Sequence, residues 1–413
     1  MNRTKTETSM KPEPVKVAFC ENGAGYGGAV ISLVAFLEII PQRYRPLLYT
    51  GIGTEPYQQL SRLGQWRHLP AIGLLDRKRL RRSGLPYASM LDNIFNLLPY
   101  ALRHYRAFRR DGIELVYLNN DCSCNLAAAV GGKLAGLPLV LHSRGFNSDT
   151  RGNRWLLQQL DHCIAVSQAV RTQLLELGLP PEKCTVVAEG LDLRQFQPRV
   201  PDPALREELG IAPDAPVITL VGGLVDWKGQ DVLLDAAPHI LAAFPDAWIL
   251  MVGSAYGKDD TFALEIARRA ADPALRGRVR LLGARKDIPA ILATSSVILH
   301  ASTQPEPFGR TFLEGMAMGR PTIASNEGGP LDVIDHETDG LLIAPRDPGT
   351  LAGAVVRLLS DPALAATLAR NGARKAIGYS IEHHTAAIAA VLDATMQARG
   401  RPQPLTPQRT PDQ

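Results

Sequence analysis

The stretch from Pro305 to Pro330, PEPFGRTFLEGMAMGRPTIASNEGGP, constrains the fold more than any other part of the chain. It follows an apolar run, Val297 to Leu299, that ends at His300 and Ser302 as a buried parallel strand would. Gly309 permits a tight turn, Thr311 to Met318 is rich in helix formers, and Gly319-Arg320-Pro321 stops the helix. A helix of about eight residues is only about 12 Å long. Its exposed N–H groups therefore stay close to the next turn, where Gly328-Gly329-Pro330 opens another helix. Free amides, glycines that let backbone approach a ligand, and the positive dipole end together make an anion site. Glu306 sits just outside that site and Glu314 about one turn inside it. A phosphate alone would be repelled by these carboxylates, whereas sugar hydroxyls donate to them. The stretch reads as a site for a phosphorylated sugar.

The rest of the chain repeats the same grammar. A length of 413 residues gives room for about two domains. Val15 to Cys20 reads as a strand, followed by Glu21-Asn22-Gly23-Ala24-Gly25-Tyr26-Gly27-Gly28 and a helix from Ala29 to Ile40. Gly23, Gly25 and Gly28 match G-x-G-x-x-G, but the next strand, Pro46 to Thr50, lacks the acidic residue at its end that would hold a dinucleotide ribose. The loop is therefore expected to bring backbone near a ligand, with no NAD and no other cofactor implied. Further strands are expected at Leu115 to Leu118, Pro138 to Leu141 and His162 to Val166. Asn119, Asn120, His142 and Arg144 sit at carboxyl ends of these strands, where parallel sheets bind ligands. A strand-end histidine is also commonly structural.

After a proline-bearing stretch from Pro198 to Pro216 the pattern restarts. Val217 to Val221 reads as a strand, Gly222-Gly223 as a turn, and Gln230 to Phe244 as a helix entered through Lys228-Gly229. Strands at Trp248 to Val252 and Arg278 to Leu282 and a helix from Asp287 to Ala293 lead into the opening stretch. Helices over Leu351 to Arg374 and His383 to Arg399 follow. The fold class is α/β, with two doubly wound Rossmann-like domains facing a central cleft. Residues 1–13 and the Pro/Gln-rich 400–413 read as disordered ends.

Composition adds exclusions. No run of about 18 apolar residues is present, since Ala29 to Ile40 is broken by Glu38. The polar start carries no apolar signal core, so a cytoplasmic protein is expected. Five cysteines in so long a chain read as core thiols, and Cys122 with Cys124 lacks a second ligand pair, so no metal is expected. Between Arg67 and Arg110, ten Lys or Arg face two Asp, while the whole chain carries only +4. The same block holds Leu91, Ile94, Phe95, Leu98 and Leu102 near helical spacing. Two readings stand: peripheral association with an anionic membrane, or an amphipathic helix packed on its own domain. No nucleic-acid motif accompanies the charge.

Lys228-Gly229 after a glycine turn, then Glu306-Pro-Phe-Gly-x4-Glu314, then Gly328-Gly329, resembles the retaining nucleotide-sugar glycosyltransferases of family 4. The Gly190-Leu191-Asp192-x3-Phe196 turn and Gly340-Leu341-Leu342 extend the resemblance over about residues 15 to 395. It implies the GT-B architecture: an acceptor domain over 14–197, a nucleotide-sugar donor domain over 198–380, and a helix over 381–399 packing back on the first. It also implies roles. Lys228 would face the diphosphate, and Glu306 with the backbone at Phe308 and Gly309 would hold the transferred sugar. Glu314 would bind the ribose. Gly222, Thr311, Gly328 and Gly329 would line the donor site. Gly27, Gly28 and His142 would approach it from the other domain, so catalysis would require domain closure. Asn119, Asn120 and Arg144 are weaker acceptor candidates. The chemistry needs no metal, because a fixed cation and helix amides stabilise the leaving diphosphate.

One departure stands out. Family members usually carry an arginine five residues before the lysine, where this chain has Gly223. Arg310 is the candidate replacement, reaching the diphosphate across the mouth of the short helix. Asp332 also replaces a common glutamate, keeping the carboxylate. The expected activity is transfer from a UDP-, GDP- or ADP-sugar to a glycan or lipid-linked glycan at the inner face of the cytoplasmic membrane. A nucleotide-sugar epimerase on the same fold and a non-catalytic nucleotide-sugar-binding subunit are the alternatives.

Overall fold

The computed structural model describes residues 13–23, 27–54, 57–76, 87–255 and 260–400. The expectations for 1–12 and 401–413, the middle of the first glycine loop and the basic run 77–82 fall outside these residues. The chain groups into two compact units, one formed by Met1–Ala165, Val170–Val187 and Thr385–Gln413, the other by Val166–Ala169 and Ala188–His384.

The first unit is a parallel sheet of seven strands: β1 (Val15–Glu21), β2 (Tyr44–Thr50), β3 (Gln65–His68), β4 (Leu115–Asn119), β5 (Leu139–Ser143), β6 (His162–Ala165) and β7 (Cys184–Val186). Their order is β3-β2-β1-β4-β5-β6-β7. All five residues of β4 and of β5 are buried, which is why these strands read as unbroken apolar runs. Edge strands β3 and β7 were not expected, because QWRH and CTV are short and partly solvated, as strands with a single neighbour usually are. Phe19 and Tyr117 pack with ring centroids 5.0 Å apart, and Phe36 from helix Gly28–Glu38 closes over them.

The basic, amphipathic block is helical over Ala88–Asp92 and Leu98–Asp111, joined by a wide turn at Asn93–Leu97. Asn96, fully buried, ties that turn to Leu75 by bonds of 3.0 and 3.1 Å. Tyr100, Ala101, His104, Ala107 and Phe108 face the core, whereas Tyr87, Met90, Ile94, Phe95 and Leu98 are exposed. The packed-helix reading therefore holds for the buried face, while the remaining apolar side chains of the block lie at the surface. Helix Ile381–Ala398 groups with this unit from Thr385 onward. Ile388, Ala389, Leu392 and Met396 enter its core, and Asp393 pairs with Arg43 at 2.7 Å and with the Tyr44 hydroxyl.

The second unit has six parallel strands: β8 (Val217–Val221), β9 (Trp248–Val252), β10 (Val279–Leu281), β11 (Val297–His300), β12 (Thr322–Ser325) and β13 (Leu341–Ile343), in the order β10-β9-β8-β11-β12-β13. Both sheets reverse strand order once, between β1 and β4 and between β8 and β11. Such reversals open a crevice at the strand ends where doubly wound sheets bind ligands. The expected boundary at 197 and 198 shifts to 187 and 188. The reason is local: Leu191 bridges Ser380, with Leu191 N–H donating to Tyr379 O and Ile381 N–H to Leu191 O, each at 2.9 Å. The helical region expected over 351–374 is two helices, Pro348–Ser360 and Pro362–Ala376, bent by 101°. Pro362 cannot continue the first, and Asp361 caps the second. Among the described residues no single helix is long and apolar enough to cross a membrane. All five cysteines are free thiols.

Candidate active site

In the second unit three loop segments meet at the β8/β11 reversal: the turn after β8 through Gly229, the segment from Ala301 to Gly309, and Asn326 to Pro330. Backbone contact at two glycines makes this possible. Gly229 has φ 76°, and a Cβ there would lie 1.9 Å from Ala301 O. Gly328 has φ 73°, and its Cβ would lie 2.1 Å from Glu306 O. Side chains larger than hydrogen are excluded at both points. Glu306 pairs with Gly328 as a parallel bridge, and Gly329 N–H donates to Glu306 O at 2.8 Å. The two glycine turns of the opening stretch are thus one folded piece.

The helix starts differ in a way that matters electrically. Helices Cys122–Leu134, Arg151–Gln159, Thr261–Ala270, Pro348–Ser360 and Pro362–Ala376 are capped by side chains: Asp121, Thr150, Asp260, Asp347 and Asp361 each accept a first-turn N–H. Helices Gln230–Ala243, Arg310–Ala317 and Pro330–Val333 begin at Gly229, Gly309 and Gly329, with no side-chain cap. Helix Gly28–Glu38 in the first unit begins at Gly27 in the same way. The starts at Gly229 and Gly309 leave first-turn N–H groups for an anion, whereas Pro330 carries no N–H and Gly329, Leu331 and Asp332 already donate to backbone oxygens.

Charge is concentrated at Glu306. Its Oε2 accepts from Lys228 Nζ at 2.6 Å and Ser302 Oγ at 2.9 Å, and lies 3.3 Å from His300 Nε2. Burial works against ionisation, but the His300 and Lys228 interactions outweigh it and hold this carboxyl near pH 2. Lys228 runs beside Gly222, with its ammonium 4.1 Å from the Trp227 ring centroid. Gln230, fully buried, donates to Gly223 O at 2.9 Å, and Thr311 Oγ1 donates to Val221 O at 3.2 Å. Phe308 is buried beside Phe312. Arg310 Nε lies 3.6 Å from Glu314 Oε1 and Arg310 Nη1 donates to Gly190 O at 3.5 Å. Burial raises the Glu314 carboxyl, and Arg310 only partly offsets this.

The first-unit candidates form a separate network. Asn119 is fully buried; its amide donates to Glu21, also buried, and to Ala29 O at 3.2 Å, while its Oδ1 accepts from Arg144 Nε at 2.7 Å. Glu21 Oε1 accepts from Gly23 N–H at 2.8 Å. Asn120 takes a left-handed backbone, φ 83°, beside this pair. His142 is buried, with Nδ1 against the Tyr117 hydroxyl. Asn119, Arg144 and His142 are thus buried at the strand ends and bonded within this unit. Among the described residues no group of three or more His, Cys, Asp or Glu is arranged to hold a metal ion.

Residues 201–375 match the family described as glycosyl transferases group 1, and residues 27–195 match Glycosyltransferase Family 4. The chain belongs to glycosyltransferase family 4. Among relatives of this glycosyltransferase, the lipopolysaccharide core biosynthesis mannosyltransferase LpsB of Rhizobium meliloti is 29% identical over 264 residues, covering 63% of this chain and 73% of that one. The UDP-Gal:alpha-D-GlcNAc-diphosphoundecaprenol alpha-1,3-galactosyltransferase of Escherichia coli is 28% identical over 276 residues, covering 63% and 70%. Among solved structures, Anabaena HepE in complex with UDP-glucose superposes with TM-score 0.76 and 25% identity over 92% of this chain and 99% of that one. Lipopolysaccharide glycosyltransferase WaaG superposes with TM-score 0.66 at 15% identity, a likeness of fold. The fold of the family 4 enzyme is therefore GT-B, with two parallel-sheet Rossmann-like domains.

Four participants escaped the sequence. Trp227, His300 and Ser302 flank residues that were singled out, and Glu21 ends β1. Their signal was adjacency to a strand end or to Lys228, which does not by itself tell a ligand-facing side chain from a core one.

Proposed function

We propose that this glycosyltransferase moves a sugar from a nucleotide sugar to a lipid-linked glycan acceptor, with retention of anomeric configuration. The observation that carries the donor assignment is the meeting of Lys228 and the ionised Glu306 with two uncapped helix starts, at Gly229 and Gly309. The amides and Lys228 suit a diphosphate whose charge grows as the glycosidic bond breaks. Lys228 exchanges part of its contact with Glu306 for the phosphate oxygens. Glu306 Oε1, which makes none of the contacts named above, accepts a hydroxyl of the donor sugar. Glu314 accepts from the ribose hydroxyls, with Arg310 alongside it and near the helix mouth. This set operates without a metal.

The relatives named above act on a lipopolysaccharide core and on a diphosphoundecaprenol-linked sugar, and HepE holds UDP-glucose. These support a nucleotide-sugar donor and a lipid-linked acceptor. Retention rests on the resemblance to retaining family members, and magnetic resonance of the product anomeric proton tests it. Exposed Tyr87, Met90, Ile94, Phe95 and Leu98, next to a chain segment rich in Arg and Lys, support docking on an anionic membrane at its cytoplasmic face. Co-sedimentation with phosphatidylglycerol vesicles, lost in Ile94→Ser/Phe95→Ser, tests that part. Gly223 in place of arginine favours a second reading, a binding subunit without turnover. Release of nucleoside diphosphate from a panel of UDP-, GDP- and ADP-sugars separates the two.

A further inference from the structure

The donor assignment explains why Lys228 touches Glu306, but not why His300 and Ser302 do. Three donors converge on Oε2 of Glu306, at 2.6, 2.9 and 3.3 Å, and none of these contacts uses Oε1. Ser302 is itself fixed, because Ser325 Oγ at the end of β12 donates to Ser302 O at 2.7 Å. The His300 ring packs edge-on against Phe312, with centroids 5.6 Å apart and planes at 83°. A phenylalanine would fill that space equally well and bury no polar nitrogen. Instead Nδ1 of His300 is buried with no hydrogen-bond partner among the described residues, a placement that costs stability. The ring sits beneath Gly309, where a Cβ would come within 2.8 Å of Nε2. Its one polar outlet is therefore the Glu306 carboxylate and the adjoining Ser302 hydroxyl, 3.5 Å away.

We propose that His300 is a positioning residue that, together with Ser302, pins Oε2 of Glu306 so that Oε1 alone is presented to the donor sugar. Lys228 cannot do this by itself, since its ammonium is shared with the diphosphate once donor binds. With His300 and Ser302 in place, the carboxylate cannot exchange its two oxygens by rotation, and hydroxyl selection depends on one oxygen in one place. The inference rests on the assignment of this site to a nucleotide sugar and adds the residues that set its sugar selectivity.

The test is calorimetric titration of wild type, His300→Phe and His300→Gln with UDP-glucose, UDP-galactose, GDP-mannose and ADP-glucose, and with bare UDP, GDP and ADP. His300→Phe keeps the packing and removes the donor, and His300→Gln restores a donor near the Nε2 position. The expected result is a loss on the order of tenfold in affinity for the nucleotide sugar in His300→Phe, the size of one hydrogen bond to a charged group. Affinity for the bare diphosphate stays unchanged, His300→Gln recovers most of the loss, and discrimination between UDP-glucose and UDP-galactose narrows in His300→Phe. Equal loss for sugar and bare diphosphate, or no loss, overturns the inference while leaving the donor assignment standing. A wild type that binds none of these nucleotides overturns the donor assignment, and the inference with it. Should His300→Phe not fold, Ser302→Ala carries the same comparison, with the same outcomes deciding it.

Discussion

Replacing Lys228 by methionine keeps the length and apolar stem of the side chain and removes its charge. The pair it breaks is short, 2.6 Å, with Lys228 21% and Glu306 10% exposed. Removing one partner of a fully buried ion pair costs about 3–5 kcal/mol, because the other charge is left uncompensated. Two other contacts to Oε2 remain and the lysine is partly solvated, which places this case at the lower end, about 3 kcal/mol. A loss of that size lowers the unfolding midpoint by about 6–12 °C for a domain of this size. Glu306→Gln leaves Lys228 free to reach water and should cost about 1 kcal/mol. The double variant has no orphaned charge, so it should be more stable than Lys228→Met, with a coupling of about 2 kcal/mol. The sign with pH follows from the depressed carboxyl. Its stabilisation is complete above the ordinary glutamate range and is lost as pH falls through about 2, so the gap between wild type and Lys228→Met narrows below about pH 4.5. Thermal and urea unfolding at several pH values, beside turnover of the nucleotide sugar, measures all of this. Turnover should fall by a factor of about 100 or more in Lys228→Met and stay low in the double variant. Additive destabilisation, or turnover within about tenfold of wild type, refutes the assignment of Lys228 to both roles.

Further outcomes follow from other parts of the molecule. Gly229→Ala and Gly328→Ala force a Cβ onto backbone at 1.9 and 2.1 Å, so each should destabilise by more than about 2 kcal/mol and abolish UDP or GDP binding, read by calorimetry. His104 is fully buried, with both ring nitrogens unpartnered among the described residues, and burial holds it neutral down to about pH 3. Its ring is therefore stable at neutral pH, and stability is lost as pH falls below about 6.5, by up to about 1.4 kcal/mol per pH unit, a slope that urea titrations should find missing in His104→Phe. Asp393→Ala removes the partner of Arg43 and Tyr44, and should expose the C-terminal helix to limited proteolysis at a cost of about 1–2 kcal/mol.

Much of the sheet framework was visible in the chain because buried parallel strands are written as apolar runs; Val217–Val221 and Trp248–Val252 were legible to the residue. The strands that were not, Gln65–His68, Cys184–Val186 and Leu341–Ile343, are three or four residues long and have one neighbour each; the first two carry no buried residue, and the third, though buried at Leu341 and Ile343, is too short to stand out. In the site, glycines, Lys228 and the two glutamates were legible by type and spacing. The bracing of Glu306 was not, since nothing local says that a strand-end histidine points at a carboxylate six residues ahead. Nor could residue type show that Asn119 turns inward onto Glu21, and Arg144 onto Asn119, rather than toward solvent.

The most direct measurement of the central claim is release of nucleoside diphosphate from a panel of UDP-, GDP- and ADP-sugars by wild type and by Glu306→Gln, with bare-diphosphate affinity measured in parallel. A site in which Lys228 and the helix starts hold the diphosphate while Glu306 holds the sugar predicts turnover of one nucleotide-sugar class by wild type. It also predicts that turnover is lost in Glu306→Gln, with affinity for the bare diphosphate unchanged. Wild-type enzyme that binds no member of the panel, or a Glu306→Gln variant that turns the donor over as wild type does, would contradict it.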